Sequence, residues 1–279
     1  WSVGNEKPVT ENGLETGKYV HQLDPTRPYV FPSPHRPLRE LLDKKFDFMT
    51  MYSCHYPLLS ELKSWPSQLD HALVNTEYAH ALGNDLGQLQ DIVDEWYKHP
   101  QLAGGAVWEF ADQGIQRVSM EKVNRDEPTK HAWASQSIFF DACDILGTDG
   151  IVYADRTPQT DYYQVRKAYA PVKVTTQTKD DGIIVKMENR YDFTDLSTVK
   201  AELEVYADSQ MVSKSNIPLK CAPHESISFN IAKPKSLTNA HFHYYKLKLT
   251  DAQGEQIYEK SIRMNESPET PLASLLTNE

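Results

Sequence analysis

Val74-Asn75-Thr76-Glu77-Tyr78-Ala79-His80-Ala81-Leu82-Gly83-Asn84 is a short buried-strand pattern, residues 72–76, that releases Glu77 and then His80 at its end. A carboxylate and an imidazole set free where an apolar run stops are what a reaction centre at the strand ends of a sheet or barrel offers. Downstream, Leu86, Leu89, Ile92, Val93, Trp96 and Tyr97 recur at three- and four-residue spacing and Pro100 closes the pattern, which predicts a helix. Residues 104–108 then predict a strand whose glycines suit close packing against a neighbouring backbone.

Upstream, residues 58–69 predict a helix interrupted by Pro66, and residues 46–52 a strand ending at Tyr52. Before these stand a short helix over 37–45, with Leu38, Leu41 and Leu42 on one side, and a strand over 29–31. A helix over 13–23 is stopped by Asp24-Pro25-Thr26-Arg27-Pro28, and an apolar stub over 1–3 ends at Gly4-Asn5-Glu6. Strand and helix alternate about four and a half times in the first 108 residues, the signature of a parallel α/β sheet or barrel. The expected strand ends carry Glu6, Tyr52, Glu77 and Trp108: two carboxylates and two aromatic rings from four strands.

Residues 120–130 are polar and loop-like, 138–153 return to apolar character, and 162–168 predict a closing helix. From Pro171 the texture changes to alternating strands over 172–178, 182–189, 199–207, 226–231, 243–249 and 257–264, spaced as in an immunoglobulin-like β-sandwich. The expected domains are therefore 1–170, 171–266 and a linker or disordered tail over 267–279.

The formal net charge of −10 argues against a nucleic-acid partner, since phosphates demand basic clusters, and favours a neutral or hydroxyl-rich substrate. No apolar run reaches the roughly 20 residues of a membrane span. Cys54, Cys143 and Cys221 lack paired metal or redox spacing and read as free thiols, a lean towards a reducing compartment. The chain begins without Met, inside an expected strand, and so reads as a fragment whose compartment stays open between cytoplasm and periplasm.

Each candidate also has a plain structural reading. Glu77 alone would be a salt-bridge partner, Tyr52 and Trp108 core aromatics, His80 a brace for its own loop, and Asp149 a turn residue before Gly150. What favours the functional reading of Glu77, Tyr52 and Trp108 is their common place at strand ends.

The segments 1–6, 24–28, 51–52, 77–84, 104–113 and 155–158 resemble, in order and spacing, those of the large β-galactosidases of glycoside hydrolase family 2. Asn189-Arg190-Tyr191-Asp192-Phe193 is similar to the start of the domain that follows the barrel in those enzymes. The resemblance implies a retaining exo-glycosidase with Glu6 as acid/base, Glu77 as nucleophile, and Asn5, Tyr52, His80 and Trp108 lining the sugar pocket. It further implies that the chain supplies strands four to eight of a (β/α)8 TIM barrel followed by an immunoglobulin-like β-sandwich. The expected partners are then a carbohydrate substrate, the missing N-terminal part of the same enzyme, and a second copy in a homo-oligomer.

The residues themselves require no cofactor, while the resemblance brings in Mg2+ and Na+, with Glu6 and Asp149 as candidate ligands. Departures bear on the sugar. Lys7-Pro8-Val9-Thr10 replaces a glycine-rich turn, Trp108-Glu109-Phe110 replaces Trp-Asp-Trp, and Asp149 stands where a sodium-binding Asn is usual. The alternatives are a same-family enzyme for another β-linked sugar, such as a glucuronide or mannoside, and a non-catalytic carbohydrate-binding or assembly module.

Overall fold

A computed structural model describes residues 1–6, 10–31, 50–82, 86–113, 115–116, 139–140, 149–234 and 242–264. The chain divides into two units, Trp1–Ala168 and Tyr169–Glu279.

In the first unit, helix α1 (Glu11–Leu23) is opened by Thr10, whose hydroxyl accepts the Gly13 amide hydrogen bond that the first turn leaves unmet. The two strands expected around it reduce to one parallel bridge between Ser2 and Val30. Asp24 ties this corner together, accepting from Thr26, Arg27 and the Trp1 indole, and these bonds hold its carboxyl well below the usual carboxylate range.

Strands β1 (Met51–His55), β2 (Ala72–Tyr78) and β3 (Leu102–Val107) form a parallel sheet in that order. The crossovers carry α2 (Leu59–Ser64), which ends in a tight turn over Pro66–Gln68 because proline cannot continue the helical bonding, and α3 (Leu89–Lys98). Leu62, Leu73, Leu86, Leu89 and Val93 are buried in one core with Tyr52 and Tyr78. The unit closes with parallel pairing of Ala111 to Val152 and with α4 (Thr160–Ala168), while β4 (Ile115–Gln116) pairs with β5 (Phe139–Phe140). This is the βαβ order of the expected partial barrel. The helix expected over 37–45 and the start of the strand expected over 46–52 lie outside the described residues.

Asn75 is the buried link between strand and helix: its amide donates to Cys54 Sγ at 3.0 Å and its oxygen accepts Trp96 Nε1 at 2.8 Å. Opposite it, a Cβ on Gly105 would stand 2.8 Å from the Asn75 main-chain oxygen and 2.9 Å from Trp96 Cζ2. Only glycine fits there. Burial pushes the Cys54 thiol up to about 12, and Cys54 and Cys221 are both free and buried; Cys143 lies outside the described residues.

The second unit is a sandwich of β6 (Val172–Lys179), β7 (Gly182–Asn189), β8 (Lys200–Ala207), β9 (Gln210–Ile217), β10 (Ser226–Ala232), β11 (His243–Thr250) and β12 (Gln256–Arg263). One sheet has the order β10-β7-β6 and the other β12-β11-β8-β9, three strands facing four, as in an immunoglobulin-like domain. Val174, Val185 and Met187 on one inner face share a core with Leu203, Val205, Leu247 and Leu249 on the other. β9 is the strand that the sequence pattern does not reveal. It is exposed along nearly its whole length, so no apolar residue alternates with a polar one. Buried Asn189 fixes the end of β7 by donating to the carbonyls of Thr194 and Cys221 and accepting from the Tyr191 amide. The tail expected over 267–279 lies outside the described residues.

Candidate active site

The site begins with a break in strand register. Cys54 opposes Asn75, but His55, the next residue of β1, opposes Glu77. The β2–β3 pairing is irregular over the same residues, between Asn75 and Tyr78. Asn75 and Tyr78 both reach Trp96 of α3, the first through its oxygen and the second ring-edge to ring at 4.8 Å. Side chains three residues apart share a side only if the strand's alternation is interrupted, so the bulge re-aims Glu77, which would otherwise point with Asn75 towards the helix.

Glu77 meets the end of β1 instead. The Tyr56 hydroxyl donates to Glu77 Oε2 at 2.9 Å, and the Tyr56 amide donates to the Glu77 carbonyl at 2.8 Å. His55 Nδ1 lies 3.0 Å from Glu6 Oε1 and 3.4 Å from Glu77 Oε2, and the three atoms are within 4.8 Å of one another. His55 and Glu77 are buried, whereas the Glu6 side chain is 42% exposed. Glu6, Tyr56 and Ala79 all have left-handed backbones, with φ of 47°, 46° and 51°. Residues with a Cβ keep that conformation only where their surroundings impose it, commonly at functional sites.

The network continues to a second group. The His80 ring stacks on Tyr56 at 5.7 Å, and its Nε2 lies 2.8 Å from Asp149 Oδ2, which also accepts Trp108 Nε1 at 3.0 Å. The backbone holds these parts in place. Trp108 donates to the Tyr78 carbonyl and accepts from Ala81, and Glu109, which follows it across a cis peptide, donates to the Asp149 carbonyl. Burial, followed by the bond to Glu77 and the charges of Glu77, Glu6 and Asp149, pushes the Tyr56 phenol far above its usual range, so it stays a hydrogen-bond donor. The Glu109 carboxyl is raised chiefly by burial. Gln113 offsets part of this, and the charges of Asp149 and Asp112 add to it.

Of the residues singled out from the sequence, the structure gathers Glu6, Glu77, His80, Trp108 and Asp149 into this network, with Asn5 exposed beside Glu6. Tyr52 is elsewhere. Its hydroxyl donates to Asp70 Oδ1 at 2.7 Å, its ring lies 5.9 Å from that of His71, and burial with the Asp70 bond raises its phenol to about 12. The expected strand end at Tyr52 is corrected to His55, because Ser53, Cys54 and His55 are all buried although none is a large apolar residue. The tyrosine at Glu77 is therefore Tyr56, and neither it nor His55 was anticipated. The legible signal was Pro57, which stands two residues after His55 and stops the strand there.

Among the described residues, Glu6, His55 and Glu77 are the one group with three ligand atoms close enough to share an ion. They fit magnesium poorly, since it wants an octahedron of oxygens and this group offers two carboxylate oxygens and a ring nitrogen. Buried Asp149 Oδ1 and Glu109 Oε1, which have no hydrogen-bond partner among the described residues, are hard oxygens of the kind that suits sodium.

Residues 1–174 match the family model described as glycosyl hydrolases family 2, TIM barrel domain, and residues 185–264 match that of beta-galactosidase, domain 4. The beta-galactosidase of Vibrio cholerae serotype O1 is 26% identical over 251 residues, which are 87% of this chain and 23% of that protein. That of Halalkalibacterium halodurans is 27% identical over 230 residues, 81% of this chain and 21% of that protein. The chain thus spans less than a quarter of the length of these relatives. Among solved structures, a calcium-binding mutant of Bacteroides uniformis beta-glucuronidase 2 aligns with 96% of this chain and 34% of its own at 15% identity and a TM-score of 0.42. The family model covers well over half of the chain, and the chain belongs to glycoside hydrolase family 2, as the C-terminal part of its catalytic barrel with the β-sandwich that follows.

Proposed function

We propose that this chain is the part of a retaining exo-β-galactosidase that carries both catalytic carboxylates. The observation that carries the reading is the spacing of Glu6 and Glu77, whose nearest oxygens lie within 4.8 Å around one nitrogen. Retaining enzymes hold their carboxyl groups about 5–5.5 Å apart, and the close approach of these two oxygens accords with such a pair.

In the first step a Glu77 oxygen bonds to the anomeric carbon as the bond to the leaving oxygen breaks, and Glu6 gives that oxygen its proton. In the second, Glu6 takes a proton from water, the water oxygen bonds to the anomeric carbon, and Glu77 leaves as a carboxylate. The Tyr56 hydroxyl orients Glu77 for the first attack. Trp108, its ring plane held by the bond to Asp149, offers its face to the C–H side of the sugar. With His80 Nε2 engaged by Asp149, its Nδ1 edge is left for a substrate hydroxyl, and exposed Asn5 supplies an amide beside Glu6. A sodium ion held by Asp149 Oδ1 and Glu109 Oε1 would supply positive charge towards sugar oxygens.

The electrostatics favour a neutral sugar over a uronate. Among the described residues, the network contains the carboxyl groups of Glu6, Glu77, Glu109 and Asp149 and no Lys or Arg to receive a substrate carboxylate. The names of the relatives point to a galactoside. We further propose that an N-terminal part of the same enzyme supplies barrel strands one to three, so that the 279-residue chain alone turns over slowly. The test is a panel of aryl β-glycosides presented to the enzyme with its whole barrel. The galactoside should be cleaved fastest, and a faster glucuronide would overturn the substrate assignment.

A further inference from the structure

His55 is the side chain that touches both carboxylates, yet neither step above uses it. We propose that His55 is a positioning residue that aims Glu6 at the leaving oxygen; this rests on reading Glu6 and Glu77 as the catalytic pair.

The proton on its ring is located by its neighbours. Nδ1 faces Glu6 Oε1 at 3.0 Å and Glu77 Oε2 at 3.4 Å. Glu77 attacks as a carboxylate, whose oxygens accept and cannot donate, and Glu6 accepts through its unprotonated oxygen while its own proton serves the leaving oxygen, so Nδ1 carries the hydrogen. Nε2 is buried with no hydrogen-bond partner among the described residues, and a hydrogen there would be an unmet donor, which the Nδ1–H tautomer avoids. The ring is held from several sides. It is the last residue of β1, it pairs with Glu77 through the bulge, it is 1% exposed, and it meets the Tyr56 ring edge-on at 6.1 Å.

The two carboxylates depend on this N–H unequally. Tyr56 already holds Glu77 through both its hydroxyl and its amide. Glu6 sits on a left-handed backbone with an exposed carboxyl, and among the described residues His55 is its hydrogen-bond partner. Loss of the His55 N–H therefore leaves the nucleophile in place and frees the acid.

That asymmetry gives a test that a general loss of structure would not mimic. A 2,4-dinitrophenyl galactoside leaves without protonation, whereas a phenyl or alkyl galactoside needs the proton from Glu6. In the enzyme with its whole barrel, His55→Gln, whose amide nitrogen reaches the Nε2 position, should lower kcat/KM on the phenyl galactoside about 100-fold and on the dinitrophenyl galactoside less than about fivefold. His55→Asn, whose amide nitrogen falls near Nδ1, should restore most of the loss. Equal losses on the two substrates would overturn the proposal. The second measurement needs no variant and no turnover: long-range 1H–15N correlation of the histidines in the 279-residue chain should show His55 as the Nδ1–H tautomer. An Nε2–H tautomer would overturn the proposal even in an active enzyme. If no glycoside is cleaved at all, the glycosidase reading fails, and the tautomer still decides whether His55 gives its hydrogen to the pair.

Discussion

Tyr56 holds Glu77 at two points, its hydroxyl donating to Oε2 at 2.9 Å and its amide to the main-chain oxygen at 2.8 Å. In the proposed mechanism the first bond orients the attacking oxygen, and the second fixes the strand that carries it. Tyr56→Phe removes the first alone, so the enzyme should fold normally and lose about 100-fold in kcat, the usual scale for one oriented donor. Tyr52→Phe is the contrasting variant. It loses a bond to half-exposed Asp70, so activity should stay within about twofold and stability should fall by no more than about 1 kcal/mol. Paired kinetics and thermal unfolding check both. A larger kinetic loss for Tyr52→Phe would restore that residue to the pocket.

This contrast shows what was legible in the sequence. Glu6 and Glu77 were readable because apolar runs stop at them, and the sandwich strands because core and solvent residues alternate. The end of β1 was hidden by Ser53, Cys54 and His55, which are buried without being large and apolar. The bulge at Glu77 was unreadable because it changes direction and not composition. The bond between His80 and Asp149 spans 69 residues and exists only once the strands lie side by side. β9 left no pattern because solvent meets it along nearly its whole length.

The close approach at Gly105 predicts a stability effect. Gly105→Ala would put a methyl 2.8 Å from a main-chain oxygen that cannot swing away, with Trp96 on its other side. The expected cost is about 1–3 kcal/mol in urea unfolding, the range for overpacked sites. An unchanged midpoint would mean that β2 and β3 stand further apart than described.

The sandwich should be acid-sensitive through Glu202 and Glu204. The Glu202 carboxyl is lowered by Lys200 and then Lys214. For Glu204, burial alone would raise it, but hydrogen bonds from Lys248, Tyr206 and Lys214 prevail and lower it. A carboxyl lowered on folding adds stability above its unfolded value of about 4.3, and that stability is lost as pH falls through the folded value. A polypeptide of residues 171–266 should therefore unfold cooperatively, with a midpoint that holds from pH 7 to about 5 and drops below about 4. Glu204→Gln should flatten that drop. A non-cooperative transition would place the domain boundary elsewhere, and an unchanged slope would mean that the Lys248 and Lys214 pairs are loose in solution.

The central claim is that Glu77 bonds to the sugar. Treating the enzyme with its whole barrel with a 2-deoxy-2-fluoro-β-galactoside bearing a good leaving group slows the second step more than the first, so the glycosyl-enzyme ester accumulates. Peptide mass mapping should then find one fluorogalactosyl group, carried by Glu77. A label on Glu6 or on any other residue, or an initial sugar product of inverted anomeric configuration, would contradict the account.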